Sequence, residues 1–473
     1  MQSQNQRPSR RSAALPALSR SLLCAALFGG SAVAAEEADT QLAQTDSSKA
    51  PAAAPTPAPA NPYAKFEKYR WKGINISLGA PADSLDPDIG GFRSKLADHG
   101  FGYWGYSYNP FFYNTLDNGE TVGGRQVYAG QKPTFETANF LMVTYDLSRH
   151  GIPDGQIALM GTKTYTNWNP LGPNTLAIAT ASYYQTLFNR KLELKFGWLA
   201  NNYEFVGTFV GGSLAGGAFG PQASLPYQGG MSSGLFATPG ANIKLNFTSN
   251  FYNKFGIQRA ISPDGTVVEE QENPGALDFD VPHAGRLLIE ELGYQRPAAP
   301  HKAQTWLRAG RLWNNSDFND FENPGERRNG NYVNYALADR QLWQKSPDSA
   351  ASAYRGIYAG LSYMYAPPEM STFSEYYEAR VYAIGLFDSR PRDMISLVAV
   401  HNVFSDVRVA SAQAAGLMTH DNSTAVTLSY SLRATAGVYL NMGMSYVDHP
   451  SAVVYESDTG EALNLLVNAT IFF

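Results

Sequence analysis

The segment Tyr377-Glu378-Ala379-Arg380-Val381-Tyr382 sets a carboxylate, a guanidinium and a phenol at alternate positions. In an extended strand, side chains two apart share a face, so Glu378, Arg380 and Tyr382 point the same way. Such groups exchange hydrogen bonds with hydroxyls, and the ring adds an apolar plane. This chemistry holds a hydroxylated molecule without making or breaking a bond. Signs of catalysis are absent. A lipase-like serine needs a G-x-S-x-G elbow, and neither Gly211-Gly212-Ser213 nor Met231-Ser232-Ser233-Gly234 supplies one. The seven histidines, His99, His150, His283, His301, His401, His420 and His449, stand singly, with no H-x-x-x-H pair. No catalytic residue, metal ligand or cofactor is expected.

The elements that position those groups follow from the rest of the chain. Residues 1–35 read as a signal peptide: Arg7, Arg10, Arg11 and Arg20 precede the apolar run "SLLCAALFGGSAVAA", and Ala32-Val33-Ala34 has the small-x-small form of a cleavage site. Cleavage is expected after Ala34 or Ala35. The single Cys24 lies in this leader, so the mature chain forms no disulfide. Residues 36–62, rich in Ala and Pro, read as a disordered spacer. The leader holds four basic residues and no acidic one. The balance of 36 basic and 41 acidic residues therefore becomes 32 and 41 in the mature chain, a net −9 that argues against nucleic acid.

No second apolar stretch is long enough for a spanning helix. Instead, short runs alternate. "AVTLSYSL" puts Val426, Leu428, Tyr430 and Leu432 on one face; "GIYAGLSYMY" does the same with Ile357, Leu361, Tyr363 and Tyr365. In "ANFLMVTYDL", Leu141, Val143, Tyr145 and Leu147 share a side. A soluble sandwich would turn these apolar faces to its core, whereas a membrane β-barrel turns them to lipid. The opposite faces carry Gly, Ser, Asn and Arg, suited to a wet lumen, and the apolar faces end in tyrosine, as aromatic girdles do. These features point to a transmembrane antiparallel β-barrel over residues 63–473. At roughly 25 residues per strand plus loop it has about 16 strands. Residues 221–240 and 262–285 read as long loops, folded into the lumen or lying over the rim.

The C-terminal "LNLLVNATIFF" sets Leu465, Val467, Ala469, Ile471 and Phe473 on the lipid face of a last strand. An unpaired edge in lipid is costly, so this strand must pair with the first, expected within residues 70–80.

The segment "PDIGGFRSKLADHGFGYWGYSYNPFFYNTLDNGETVGGRQVYAG" resembles the opening of the carbohydrate-selective porins of the OprB family. The resemblance rests on Gly90-Gly91-Phe92-Arg93 with Leu96 and Gly100, on the Gly123-Gly124 turn, and on "KFGWLANNYEF", "LLIEELGY" and the terminal strands. Ile89 stands where the family usually has Trp. The resemblance implies a 16-stranded outer-membrane channel for sugars, with outer-membrane lipid and the assembly machinery as partners, as a monomer or homotrimer. It directs attention to Arg, Glu and aromatic residues facing the lumen: Arg93, Trp104, Tyr106, Arg125, Glu136, Glu378, Arg380 and Tyr382. The stretch Gly90–Gly100 also reads as a short helix that plugs or braces the mouth. Two other classes stay open: a barrel enzyme, and a binding protein that reaches a partner through the Pro-rich arm.

Overall fold

A computed structural model describes residues 62–75, 79–116, 126–168, 172–207, 224–450, 454–455 and 460–473. The leader, nearly all of the spacer and Arg125 lie outside the described residues. Sixteen strands close into one antiparallel barrel. They are β1 (Phe101–Asn114), β2 (Thr134–Asp146), β3 (Gln156–Thr166), β4 (Ala177–Leu187), β5 (Leu192–Leu199), β6 (Thr238–Asn246), β7 (Phe251–Arg259), β8 (Arg286–Arg296), β9 (Thr305–Asn319), β10 (Arg327–Gln344), β11 (Gly356–Tyr365), β12 (Phe373–Ile384), β13 (Met394–Phe404), β15 (Asn422–Thr435), β16 (Val438–Asp448) and β18 (Ala462–Phe472). The two short strands β14 (Met418–Thr419) and β17 (Val454–Tyr455) form a separate ribbon.

Alternation sets the wall. Leu141, Leu159, Leu292, Leu361 and Leu428 are all about half-exposed on the outer face, while their neighbours Phe140, Met160, Glu291, Ser362 and Thr427 are buried inside. A band of exposed leucine, phenylalanine and valine is what a hydrocarbon surround demands. The same strands leave no open edge, because every strand of the sheet has two neighbours.

The closing pair differs from expectation. β18 pairs with β1, not with residues 70–80: Tyr106 stands opposite Phe472 and Asn114 opposite Asn464. Phe473 continues the ladder, its amide and carbonyl exchanging 3.0 Å hydrogen bonds with Gly105. Its ring covers Gly105, where a Cβ would meet the ring at 2.4 Å. Residues 62–75 and 79–85 form a strap across the barrel's inside, at the end that carries the start of β1 and the end of β18, where Lys72 meets Gln156, Asn75 meets Lys254 and Asp83 meets Tyr439. The helix α1 (Phe92–Asp98) then braces that rim: Phe92 packs on Tyr103, and Ala97 accepts a 2.6 Å hydrogen bond from the Tyr69 hydroxyl.

Candidate functional site

Between β5 and β6 the chain turns inward. Asn201–Tyr203 make one 3-10 turn, and Ser224–Gln228 form the short helix α2. Phe205, Val206, Leu225 and Met231 are sealed from solvent. They pack with Leu287, Leu312, Val333 and Tyr335, the inner faces of β8–β10. A loop that joins strand ends yet buries its apolar side chains against the inner wall narrows the lumen. The Gln228 amide fixes it to β12, donating to the Phe373 carbonyl at 2.9 Å and accepting its amide at 2.8 Å. The 262–285 segment instead carries α3 (Thr266–Glu272), held by the Glu269 carboxylate on Arg259 at 2.6 Å.

Beneath the loop runs a ladder of opposite charges. Glu204 pairs with Lys195 at 2.9 Å and accepts from the Asn242 amide at 2.7 Å. Glu291 accepts the Val206 amide and the Tyr335 hydroxyl at 2.8 Å, and the Tyr252 hydroxyl at 2.9 Å. Arg308 donates to the carbonyls of Val206 and Gly207 and pairs with Asp339 at 3.0 Å. Asp339 also takes a bidentate pair from Arg380, at 2.8 and 2.7 Å, and Arg380 reaches Glu378 at 2.5 Å. All of these groups are buried. Buried charges persist when paired and hydrogen-bonded, and breaking one pair costs about 3–5 kcal/mol. The ladder is therefore a clamp that fixes the loop backbone, and its own bonding capacity is largely used.

The N-terminal strap meets this loop from the other end. The Asn75 amide donates to the Tyr203 carbonyl at 2.7 Å, and Lys254 bridges Asn75 and the Glu204 carbonyl, each at 2.6 Å. Tyr203 faces Trp71 edge-on and Tyr106 across 3.4 Å; burial pushes its hydroxyl up to about 12, so it stays neutral. One side of the strap is held by Gln156, which accepts the Lys72 amide at 3.0 Å and donates to the Arg70 carbonyl at 2.8 Å. The other side is latched by Asp83, which takes Arg433 at 2.6 Å, Arg392 at 2.8 Å and the Tyr439 hydroxyl. Gly437 makes room there, since a Cβ would meet the Leu85 amide nitrogen at 2.2 Å.

Burial would raise the Asp83 pKa, but hydrogen bonds from Arg433 and Tyr439 and the charges of Arg392 and Arg433 outweigh it. The carboxyl is held below its ordinary 3.8. A depressed carboxylate stabilises docking above its unfolded value and loses that contribution as pH falls through the folded one. We expect the strap to stay latched at neutral and mildly acidic pH and to loosen only below 3.8. Asp83→Asn should loosen it at pH 7, read as faster proteolysis of the N-terminal segment in the folded barrel. Equal proteolysis of parent and variant would contradict the latch.

A lumen narrowed by an inward loop, with phenols and paired charges along its wall, suits passage of polar solutes. A family model described as the carbohydrate-selective porin OprB family matches residues 116–473. The chain belongs to this family. Its fold is similar to two structures of OprB from Pseudomonas putida. The high-pH structure is 16% identical with a TM-score of 0.69, covering 83% of this chain and 98% of that one. The low-pH structure is 13% identical with a TM-score of 0.51, covering 84% and 100%. At such identities the likeness concerns the fold. No curated protein matches the sequence. As an OprB-family porin, the chain is an outer-membrane barrel through which carbohydrates diffuse.

In this OprB-family barrel the residues singled out from sequence fall into three groups. Glu378, Arg380 and Tyr382 all face inward on β12, as their parity required; the first two belong to the clamp, and Tyr382 stacks on Tyr358 at 4.9 Å. Trp104 and Tyr106 face inward on β1 with Phe140 and Phe472. Arg93 sits on α1, not on a lumen strand, and donates to the carbonyls of Pro87 and Tyr103. Glu136 faces inward on β2, away from the others, with one carboxylate oxygen unpartnered among the described residues. Arg125 lies outside the described residues. Sequence reasoning missed Arg308, Asp339, Glu291, Glu204 and Asp83. "TWLRAGRLW" held a signal for Arg308, because Trp306, Arg308 and Leu312 share the inner face. Among the described residues, no cluster of His, Cys, Asp or Glu has the makings of a metal site.

Proposed function

We propose that carbohydrates cross this porin along the gap between the inward loop and the inner wall, and that the clamp positions the loop instead of gripping the solute. The observation that carries this reading is the bonding of Arg308 to the Val206 and Gly207 carbonyls. A guanidinium committed to loop backbone and to Asp339 has little left for a passing hydroxyl. Solute contact then falls to lumen-facing groups that the clamp does not use, with Glu136 and Tyr382 among them, while Trp104 and Tyr106 back the strap and loop that border the path. Weak, multiple contacts suit a channel, since binding must release as readily as it forms.

The finer settings of the function belong to the same reading. Export uses the leader, with a mature start at Ala35 or Glu36. The termini end faces the periplasm, the Pro-rich arm is dispensable for transport, and the oligomer is a monomer or homotrimer. Outer-membrane assembly machinery reads the terminal aromatic. Liposome swelling tests the transport claim: glucose should enter faster than an uncharged non-sugar of equal size. Equal rates would leave a general pore, and no swelling would favour a structural role.

A further inference from the structure

A cavity of about 200 Å³ lies between the strap and the inner wall of β1 and β2, lined in part by Phe66, Trp71, Asn75, Arg93, Trp104 and Met142. It lies at the termini end, below the contact between Asn75 and Tyr203. Among the described residues, three lining side chains carry buried nitrogens with no partner: the Trp71 and Trp104 indole nitrogens and one terminal nitrogen of Arg93. All three residues are more than nine-tenths buried. Buried polar groups are almost always hydrogen-bonded, so three unmatched groups around one cavity call for an explanation.

The chemistry of the three is one-sided. Each is an N–H donor, and among the described residues no unmatched side-chain acceptor belongs to the same lining. One also carries a charge. The Arg93 guanidinium stacks over the Tyr103 ring at 4.0 Å and bonds two carbonyls, yet it forms no ion pair among the described residues; Asp88 and Asp86 act on it only at longer range. The neighbouring cations are committed: Arg70 to Glu67 at 3.2 Å and Lys195 to Glu204 at 2.9 Å. An acceptor bearing negative charge fits this set, because a carboxylate accepts from several N–H groups and neutralises a buried guanidinium. The indoles add flat apolar faces for ring C–H groups. Pockets for drug-sized molecules run about 300–1,000 Å³, so this smaller one suits a single small ring.

We infer that this cavity is a binding station for a monosaccharide that carries a carboxylate, a sugar acid, held by Arg93, Trp71 and Trp104. The inference rests on the reading that sugars travel this lumen, and it adds a charge preference at the termini end. A sugar acid there is captured after the narrow section, where its carboxylate meets a guanidinium that has no carboxylate partner among the described residues.

Calorimetric titration of the full-length folded porin in detergent, with glucuronate, glucose and acetate as separate probes, tests it. Glucuronate should bind about tenfold or more tighter than either other probe, the scale of one charge-assisted interaction. Arg93→Gln should bring glucuronate to within about threefold of glucose, and Trp104→Phe, which keeps a ring but loses the N–H, should weaken glucuronate severalfold. Heat-modifiable mobility on gels verifies that each variant is folded, and the parent alone decides the matter if Arg93→Gln does not fold. Equal affinity for glucuronate and glucose overturns the inference, as does acetate binding as tightly as glucuronate, or Arg93→Gln retaining the parent's preference. Glucose swelling rates report separately on the transport reading, so its failure is distinguishable from failure of this site.

Discussion

Chains lacking Phe473 are expected to reach the membrane but to form little folded barrel. The last residue closes the cylinder: its amide and carbonyl pair with Gly105, and its ring fills the space above that glycine. Removing it strips both hydrogen bonds from the closing seam. In hydrocarbon each unsatisfied backbone group costs several kcal/mol, and about 1.4 kcal/mol is tenfold in an equilibrium, so a loss of more than about tenfold in folded barrel is expected. Phe473→Tyr keeps ring and backbone and should insert nearly as the parent does. The measurement is the heat-modifiable fraction in isolated outer membranes. Normal insertion of the truncated chain would reduce Phe473 to a strand end.

Asp339→Ala should be the most damaging single change within the lumen. It removes the carboxylate shared by Arg308 and Arg380, at 3.0 and 2.7 Å, and leaves Arg308 with loop carbonyls only. Arg308 is then a buried guanidinium without a carboxylate, while Arg380 keeps Glu378 alone, and breaking such a buried pair costs about 3–5 kcal/mol. The temperature that converts folded to unfolded mobility should fall, and the freed loop should make single-channel current noisy. Asp339→Asn retains the shape and hydrogen-bonding atoms but not the charge, and should fall between. A quiet channel of parent stability in Asp339→Ala would show that the loop is held by its apolar packing instead.

The barrel was legible where one face meets lipid and the other does not. Leu141 and Val143 alternate with inward Met142 and Thr144, and Leu428 with Thr427 and Ser429, so period and facing could be read directly. The first strand was not legible for a physical reason. Trp104, Tyr106, Tyr108 and Phe112 line its inner face, and Phe101, Tyr103, Phe111 and Tyr113 its outer one. Apolar strap and loop residues cover that inner face while Ser107 and Asn109 lie on the outer one, so the usual polar-in, apolar-out alternation is reversed in the middle of β1. The strap segment Trp71–Asn75 mixes apolar and polar residues as a strand would, and it drew the closing partner to residues 70–80. The site was half legible. Parity placed Glu378, Arg380 and Tyr382 inward, but their role is set by Asp339 and Arg308, and register between strands brings those together. Arg93 owes its place to the turn of α1 around Pro87, which no periodicity encodes.

On the proposed reading, sugars pass through a lumen whose width the clamped inward loop sets. Swelling of proteoliposomes with a size series of uncharged sugars, from mono- to trisaccharide, tests it most directly in parent and Asp339→Ala channels. The parent should show a steep fall in rate with size, and the variant a shallower one because its loop no longer holds position. A parent series that falls no more steeply than the variant's would contradict the account.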